Sequence, residues 1–244
     1  MDSGYYAACA GLRARAQALD LMASNLANAQ TSGYRAESTT FQSILAAKTP
    51  ATLPPLNQAI NEFGVLGNST LDLAPGNMEQ TSGPLDLALE GPGFFVVQAG
   101  SGVLYTRNGG FRMSAQGELV TADGSAVLGQ QGPVRLAGGT VAIAPDGTIS
   151  VNGADAGKLQ VVEFAHGTSL RGEGNSLYSA PAGAARAASA SSVRQGMLEA
   201  SNVNPVTAAV DLISVQREAE MMQRALSLFN TEFQRIAAQD LPRV

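Results

Sequence analysis

The chain has 244 residues, enough to bury one large core or one core with appendages, and it carries 14% charged residues and a formal net charge of −5. With no Lys/Arg run, this mildly acidic balance leaves no electrostatic footprint for nucleic acid or an anionic membrane surface. A single Cys9 and a single His166 mean that any zinc or iron site would need mainly carboxylates, and these are not clustered.

The first residues, Met1-Asp2-Ser3-Gly4-Tyr5-Tyr6, offer neither a basic leader nor an apolar core, so no cleaved secretory signal is expected. No stretch of eighteen apolar residues exists, and no transmembrane helix is expected. From about Gly4 to Gln30 the pattern predicts a helix. Tyr5, Cys9, Leu12, Ala16, Leu19, Ala23 and Leu26 follow at alternating steps of four and three, a heptad seam with every second position small. Small residues let a partner helix come close, and Cys9 reads as one of them rather than as a nucleophile. Thr31-Ser32-Gly33 is the expected stop, with Gly33 able to adopt the left-handed cap. Thr49 to Leu56, with Pro50, Pro54 and Pro55, reads as connector.

From about Leu71 to Tyr178, short β-type runs alternate with glycine turns. Leu85-Asp86-Leu87-Ala88-Leu89 leads through Gly91-Pro92-Gly93 into Phe94-Phe95-Val96-Val97. Val103–Thr106, Glu118–Thr121, Val141–Ile143 and Leu159–Phe164 continue the pattern, and Asp123-Gly124 and Asp146-Gly147 mark tight turns. Gly91-Pro92-Gly93 is not a phosphate loop, because a strand follows it and no helix N-terminus would face the anion. His166 sits at a strand end, and no serine-elbow motif surrounds any candidate nucleophile. Asp86, Glu90, Asp123, Asp146 and Glu163 are scattered, so no glycosidase pair can be placed from sequence, and solvated or turn carboxylates are the simpler reading. An Ala/Ser-rich stretch, Pro181 to Ser192, reads as a second connector.

Asn204 and Pro205 open a second helix as N-cap and first-turn residue. Ala208, Leu212, Val215, Ala219, Met222, Leu226, Phe229, Phe233 and Ile236 then repeat at four and three without a charge among them. A helix to about Ala238 would be roughly 50 Å long at 1.5 Å per residue. Such a stripe is usually the core face of a globular protein, but its length and the twin stripe at the other end favour coiled-coil pairing of the ends, within or between subunits. The fold class expected is therefore α+β: paired long N- and C-terminal helices plus a central antiparallel all-β domain. The boundaries run 1–33 for the first helix, 34–70 and 181–204 for connectors, 71–180 for the β domain and 205–244 for the last helix.

Several segments resemble one family. Ser24 to Tyr34, SNLANAQTSGY, is similar to the amino-terminal signature of bacterial flagellar rod and hook proteins. Ser82 to Phe95, SGPLDLALEGPGFF, resembles the start of that family's β domain, and Tyr105-Thr106-Arg107-Asn108-Gly109 its YTR-(D/N)-G motif. Leu198-Glu199-Ala200-Ser201-Asn202-Val203-Asn204 resembles the signature before the last helix, and Gln216-Arg217 the QR inside it. The motif positions carried over are Asn25, Leu26, Asn28, Thr31, Gly33, Tyr34, Ser201, Asn202, Val203, Gln216 and Arg217. Ser24, where the family commonly has Asn, and Glu218-Ala219-Glu220, which lacks the usual aromatic before the glutamate, depart from the pattern.

The resemblance implies a structural subunit of the periplasm-spanning flagellar rod, not an enzyme, with no cofactor, metal, nucleic acid or direct membrane insertion. Its partners would be copies of itself, neighbouring rod or hook proteins, and the flagellar type III export apparatus. The interface helices would use Leu12, Leu19, Leu26, Leu212, Val215, Met222, Leu226, Phe229, Phe233 and Ile236. Phe41 to Leu45 resembles the family's F-x-x-x-Φ export motif. Ala126 to Pro133 is more like the proximal than the distal rod proteins, while LEASNVN suits either; a hook protein, or a secreted cell-wall-active enzyme, is the alternative.

Overall fold

Alanine and leucine lose little on entering a helix, and they make up 12 of the 26 residues of the first one. In a computed structural model of the chain, which describes residues 2–42, 65–100 and 102–240, helix α1 runs Asp2–Ala27 and helix α2 Pro205–Asp240. Helix α2 has Pro205 at its first position, as expected, and its 36 residues make about 54 Å. The described parts of 1–26, 38–69 and 205–244 form one unit, and 27–37 with 70–204 form another.

In the helical unit, the buried side of α2 follows the predicted seam. Val215 and Ala219 are buried, and Ala208, Leu212 and Met222 are half-buried. The side chains of Leu226, Phe229, Phe233 and Ile236 lie outside the described residues. In α1 the buried stripe differs from the expected one: it runs through Gly11, Ala14 and Ala18, with Leu12, Leu19 and Leu26 half-buried beside it and Ala16 and Ala23 exposed. Arg15 Nη1 meets Glu218 Oε2 at 2.8 Å. Strand Glu37–Gln42, at the start of the expected connector, pairs with strand Val65–Leu71.

The β unit is organised around strand Phe94–Ala99. It pairs antiparallel with Gly102–Thr106 along one edge, and along the other with Ala126–Gly129 and Val161–Phe164. Period-two alternation sends Phe95 and Val97 into one apolar cluster, with Leu87, Leu119, Val127 and Ile149, and Phe94 and Val96 into a second, with Val162, Leu170 and Tyr178. Both faces are covered, which is why the sequence reads FFVV without a polar break. The Asp146-Gly147 turn joins Val141–Ile143 to Thr148–Val151 in a further antiparallel sheet, with Gly147 at φ +86°.

The expected connector over 181–204 contains three short strands. Ala185–Ala187 pairs with Val161–Phe164, Ser192–Gln195 with Leu87–Glu90, and Met197–Glu199 with Met78–Gln80. Its Ala/Ser composition hid this because ladder hydrogen bonds and a single inward residue such as Val193 suffice on a short strand.

Candidate functional site

The residues with the strongest physical signature are three charges that the fold takes out of water. Arg35 and Glu199 are fully buried, and Arg107 is nearly so. Arg35 follows the turn after α1, Arg107 follows strand Gly102–Thr106, and Glu199 ends strand Met197–Glu199. Arg35 Nη2 donates to Glu199 Oε1 at 2.6 Å and Arg107 Nη1 to Oε2 at 3.1 Å, so one carboxylate bridges two guanidiniums. Gly76 N also donates to Oε1, at 3.0 Å.

Two cations against one anion leave a surplus positive charge in the buried interior, and a buried charge must be met by dipoles. Arg107 also donates through Nη1 to the carbonyl of Leu89 and through Nη2 to that of Gly91, and lies 5.0 Å from the centre of the Phe94 ring. Burial pushes its pKa down to about 10, against the pull of Glu199. Arg35 Nε and Nη1 and Arg107 Nε have no protein hydrogen-bond partner.

Around this triad the chain is clasped by backbone contacts. Gly33 N donates to Glu199 O at 2.7 Å, and Arg35 N to the Tyr178 hydroxyl at 2.9 Å, which itself reaches Gly33 O at 3.4 Å. Burial pushes the Tyr178 phenol up to about 12. Asn202 is the second fastener. Its Oδ1 accepts from Ala36 N at 2.7 Å, and its Nδ2 donates to the carbonyls of Asp72 and Ala74. Gly33, at φ +67°, allows this closure: a methyl group there would sit 2.2 Å from Asn108 N.

The structure brings together part of the predicted set. Asn28 and Thr31 form the turn after α1, Thr31 Oγ1 donating to Asn28 Oδ1, and Tyr34 N closes on Thr31 O. Gly33, Tyr34 and Asn202 meet in the clasp, and Ser201 Oγ accepts from Val203 N. Asn25 and Leu26 belong to the helical unit, and both are half-buried there. Gln216 and Arg217 are exposed on α2, Gln216 donating to Glu220. Phe41 stands in strand Glu37–Gln42, its side chain outside the described residues; Leu45 lies outside them altogether. Sequence reasoning did not single out Arg35, Arg107 or Glu199 as partners. The available signal was their position: Arg107 and Glu199 sit inside two of the family-like motifs and Arg35 directly after a third, in a chain with few charges.

The scattered carboxylates behave as surface groups. Hydrogen bonds and charge from Arg194 hold Glu90 below the usual carboxylate range, and hydrogen bonds from Lys158 and Thr148 bring Asp146 to about 2. Burial pushes Asp123 and Glu163 up, but hydrogen bonds pull each further down, from Thr121 and Ser125 and from Ser191, Ala190 and Ser189 respectively. Among the described residues, no cluster of three or more His, Cys, Asp or Glu could hold a metal, and no helix is long and apolar enough to cross a membrane.

Residues 6–35 match the family described as flagella basal body rod protein, 88–152 the flagellar hook protein FlgE/F/G D1 domain, and 194–239 the flagellar basal body rod FlgEFG protein C-terminal. The flagellar basal-body rod protein FlgF of Caulobacter vibrioides is 34% identical over 97% of this chain and 98% of its own length. The chain belongs to the flagellar basal-body rod protein family. FlgF of Salmonella typhimurium is 34% identical over 93% of this chain and 94% of its own, and the rod protein FlgG of Agrobacterium fabrum 32% identical over 90% and 92%. The rod-family segments thus map onto α1 with the clasp turn, the heart of the β unit, and α2.

Proposed function

We propose that this chain is a structural subunit of the flagellar rod, the drive shaft that crosses the periplasm, and that it has no catalytic role. The observation that carries this reading is helix α2, about 54 Å long with its uncharged seam from Ala208 through Ile236, in a chain related end to end to rod proteins. Burial of Val215 and Ala219, and of Gly11, Ala14 and Ala18 on α1, supports pairing of the two helices as a coiled coil. Assembly with copies of itself and with neighbouring rod or hook proteins then uses the remaining faces. The low proton affinity of Glu90, Asp123, Asp146 and Glu163 argues against a glycosidase acid, which needs a raised pKa.

Within the rod, the proximal position is favoured over the distal one by the resemblance of Ala126 to Pro133, a hairpin pairing Ala126–Gly129 with Gly132–Pro133. Export runs through the flagellar type III apparatus, with Phe41 and Leu45 as the motif read there.

The experiment is allelic replacement in the source bacterium. Deletion should abolish motility and leave basal bodies without a complete rod under electron microscopy, and Leu226→Asp or Leu19→Asp should do the same while the purified β unit stays folded. Motile cells with intact rods in the deletion strain would end this reading. Phe41→Ala with Leu45→Ala should lower the secreted amount of subunit more than its folding, and normal secretion would reduce the motif to a packing pair.

A further inference from the structure

Four buried polar atoms around the clasp have no hydrogen-bond partner among the described residues: Arg35 Nε and Nη1, Arg107 Nε and Ser176 Oγ. Glu199 answers only one of the two guanidinium charges, through Arg35 Nη2 and Arg107 Nη1. Burial, and after it the charge of Arg35, push the Arg107 pKa down to about 10 against the pull of Glu199. Burial above all, and more weakly the charge of Glu37, raises the Tyr178 phenol to about 12, so it supplies no countercharge. Glu37 itself bonds none of the three nitrogens.

Ser176 stands there against the local rule. The hairpin from Arg171–Gly174 to Leu177–Ser179 turns through Asn175 and Ser176, at φ +51° and +55°. A two-residue turn of this hand favours glycine at its second place, where a Cβ is penalised. Serine keeps a hydroxyl instead, and the fold buries it. Thr106 Oγ1 donates to Ser176 O at 2.8 Å, and the register of Leu177 with Thr106 and Tyr178 with Tyr105 sets Ser176 opposite Arg107. Two residues along the same strand face, the Tyr178 hydroxyl accepts from Arg35 N, which ties Arg35 to the same place. Backbone strain that holds a buried polar group beside buried cations points to a ligand.

All four atoms can donate, and only the serine oxygen can also accept. A water would need acceptors for its own two hydrogens and would leave the surplus charge unmet. An anion accepts from every one of them and cancels the charge. We propose that the side chains of Arg35, Arg107 and Ser176 form an internal binding site for one small monovalent anion, with chloride as the type. The four atoms are sealed from solvent, which favours a compact ion over a bulky oxyanion. The site lies within the β unit, so the closing of the clasp depends on the salt around the protein.

The test is urea denaturation of the full-length chain followed by near-ultraviolet circular dichroism. Chloride is raised from about 5 mM to about 500 mM while gluconate holds the ionic strength constant. A single bound ion raises the folding constant in proportion to its concentration once the site fills, so a rise of about tenfold or more is expected over this range. Arg35→Gln removes the surplus charge and leaves Glu199 paired with Arg107, and it should abolish the response. Ser176→Gly relieves the left-handed backbone, so it should fold at least as well as wild type in gluconate, yet need about tenfold more chloride for the same effect. Should Arg35→Gln fail to fold, Ser176→Gly decides alone. A wild type indifferent to chloride, the result for a site that holds water, overturns the proposal, as does an unchanged response in either variant.

Discussion

The β unit and the helical unit differ in how they treat apolar surface. The β unit closes its account within one chain: Leu87, Phe95, Val97, Val127 and Ile149 have essentially no exposed area, and three charges are buried with them. The described part of the helical unit buries little more than Gly11, Ala14, Ala18, Val215 and Ala219, while Val206, Met221 and Leu228 stand largely in water. Helices this long gain most of their stability from packing of an apolar face. The contrast teaches that one unit buries its apolar surface within the chain, while the described part of the other leaves much of it exposed.

The sharpest way to break that contrast is to attack the clasp. Glu199→Ala strands two buried guanidiniums and should lower the stability of the β unit by about 3–5 kcal/mol in urea denaturation. A loss under about 1 kcal/mol would mean that water reaches the triad and that it does not close the unit. Gly33→Ala comes next. The left-handed backbone and the 2.2 Å approach to Asn108 N together should reduce stability by about 1–3 kcal/mol, read as a lower urea midpoint.

The smallest effect is a titration. Folded Tyr178 has its pKa raised from 10.0 to about 12, so the neutral phenol is the favoured form. Its contribution to stability is fully present below about pH 10 and is lost as pH rises toward 12. Arg107 works in the opposite direction: with its pKa lowered from 12.5 to about 10, its charged form burdens the fold below that pH and the burden lifts above it. An ultraviolet titration of phenolate should show one of the five tyrosines ionising last, near pH 12, and that step should vanish in Tyr178→Phe. Simultaneous ionisation of all five would show the clasp to be open.

What the sequence made legible follows what periodicity can encode. The α2 seam and the strands around Phe94–Ala99 were readable because apolar residues repeat at the period of their element. The buried side of α1 was not, since a wheel crowded with alanine offers several narrow faces, and the one that is buried runs through Gly11, Ala14 and Ala18. The strands between Ala185 and Glu199 were missed because ladder hydrogen bonds hold them more than side chains do. The ionic triad joins residues 92 and 164 positions apart, and no local pattern announces a pairing at that range. Gly33 was expected as a helix cap and is left-handed, but its reason is the Arg107–Asn108 backbone against it.

The fastening of Ala36 to Asn202 brings the first and last segments of the β unit together at one point. A module whose two ends meet behaves as an insertion: its interior can lengthen, shorten or accept a passenger without displacing the chain on either side. The exposed Asn152-Gly153 hairpin tip, where a side chain at Gly153 would meet nothing within 4 Å, is therefore the place to graft a fluorescent reporter.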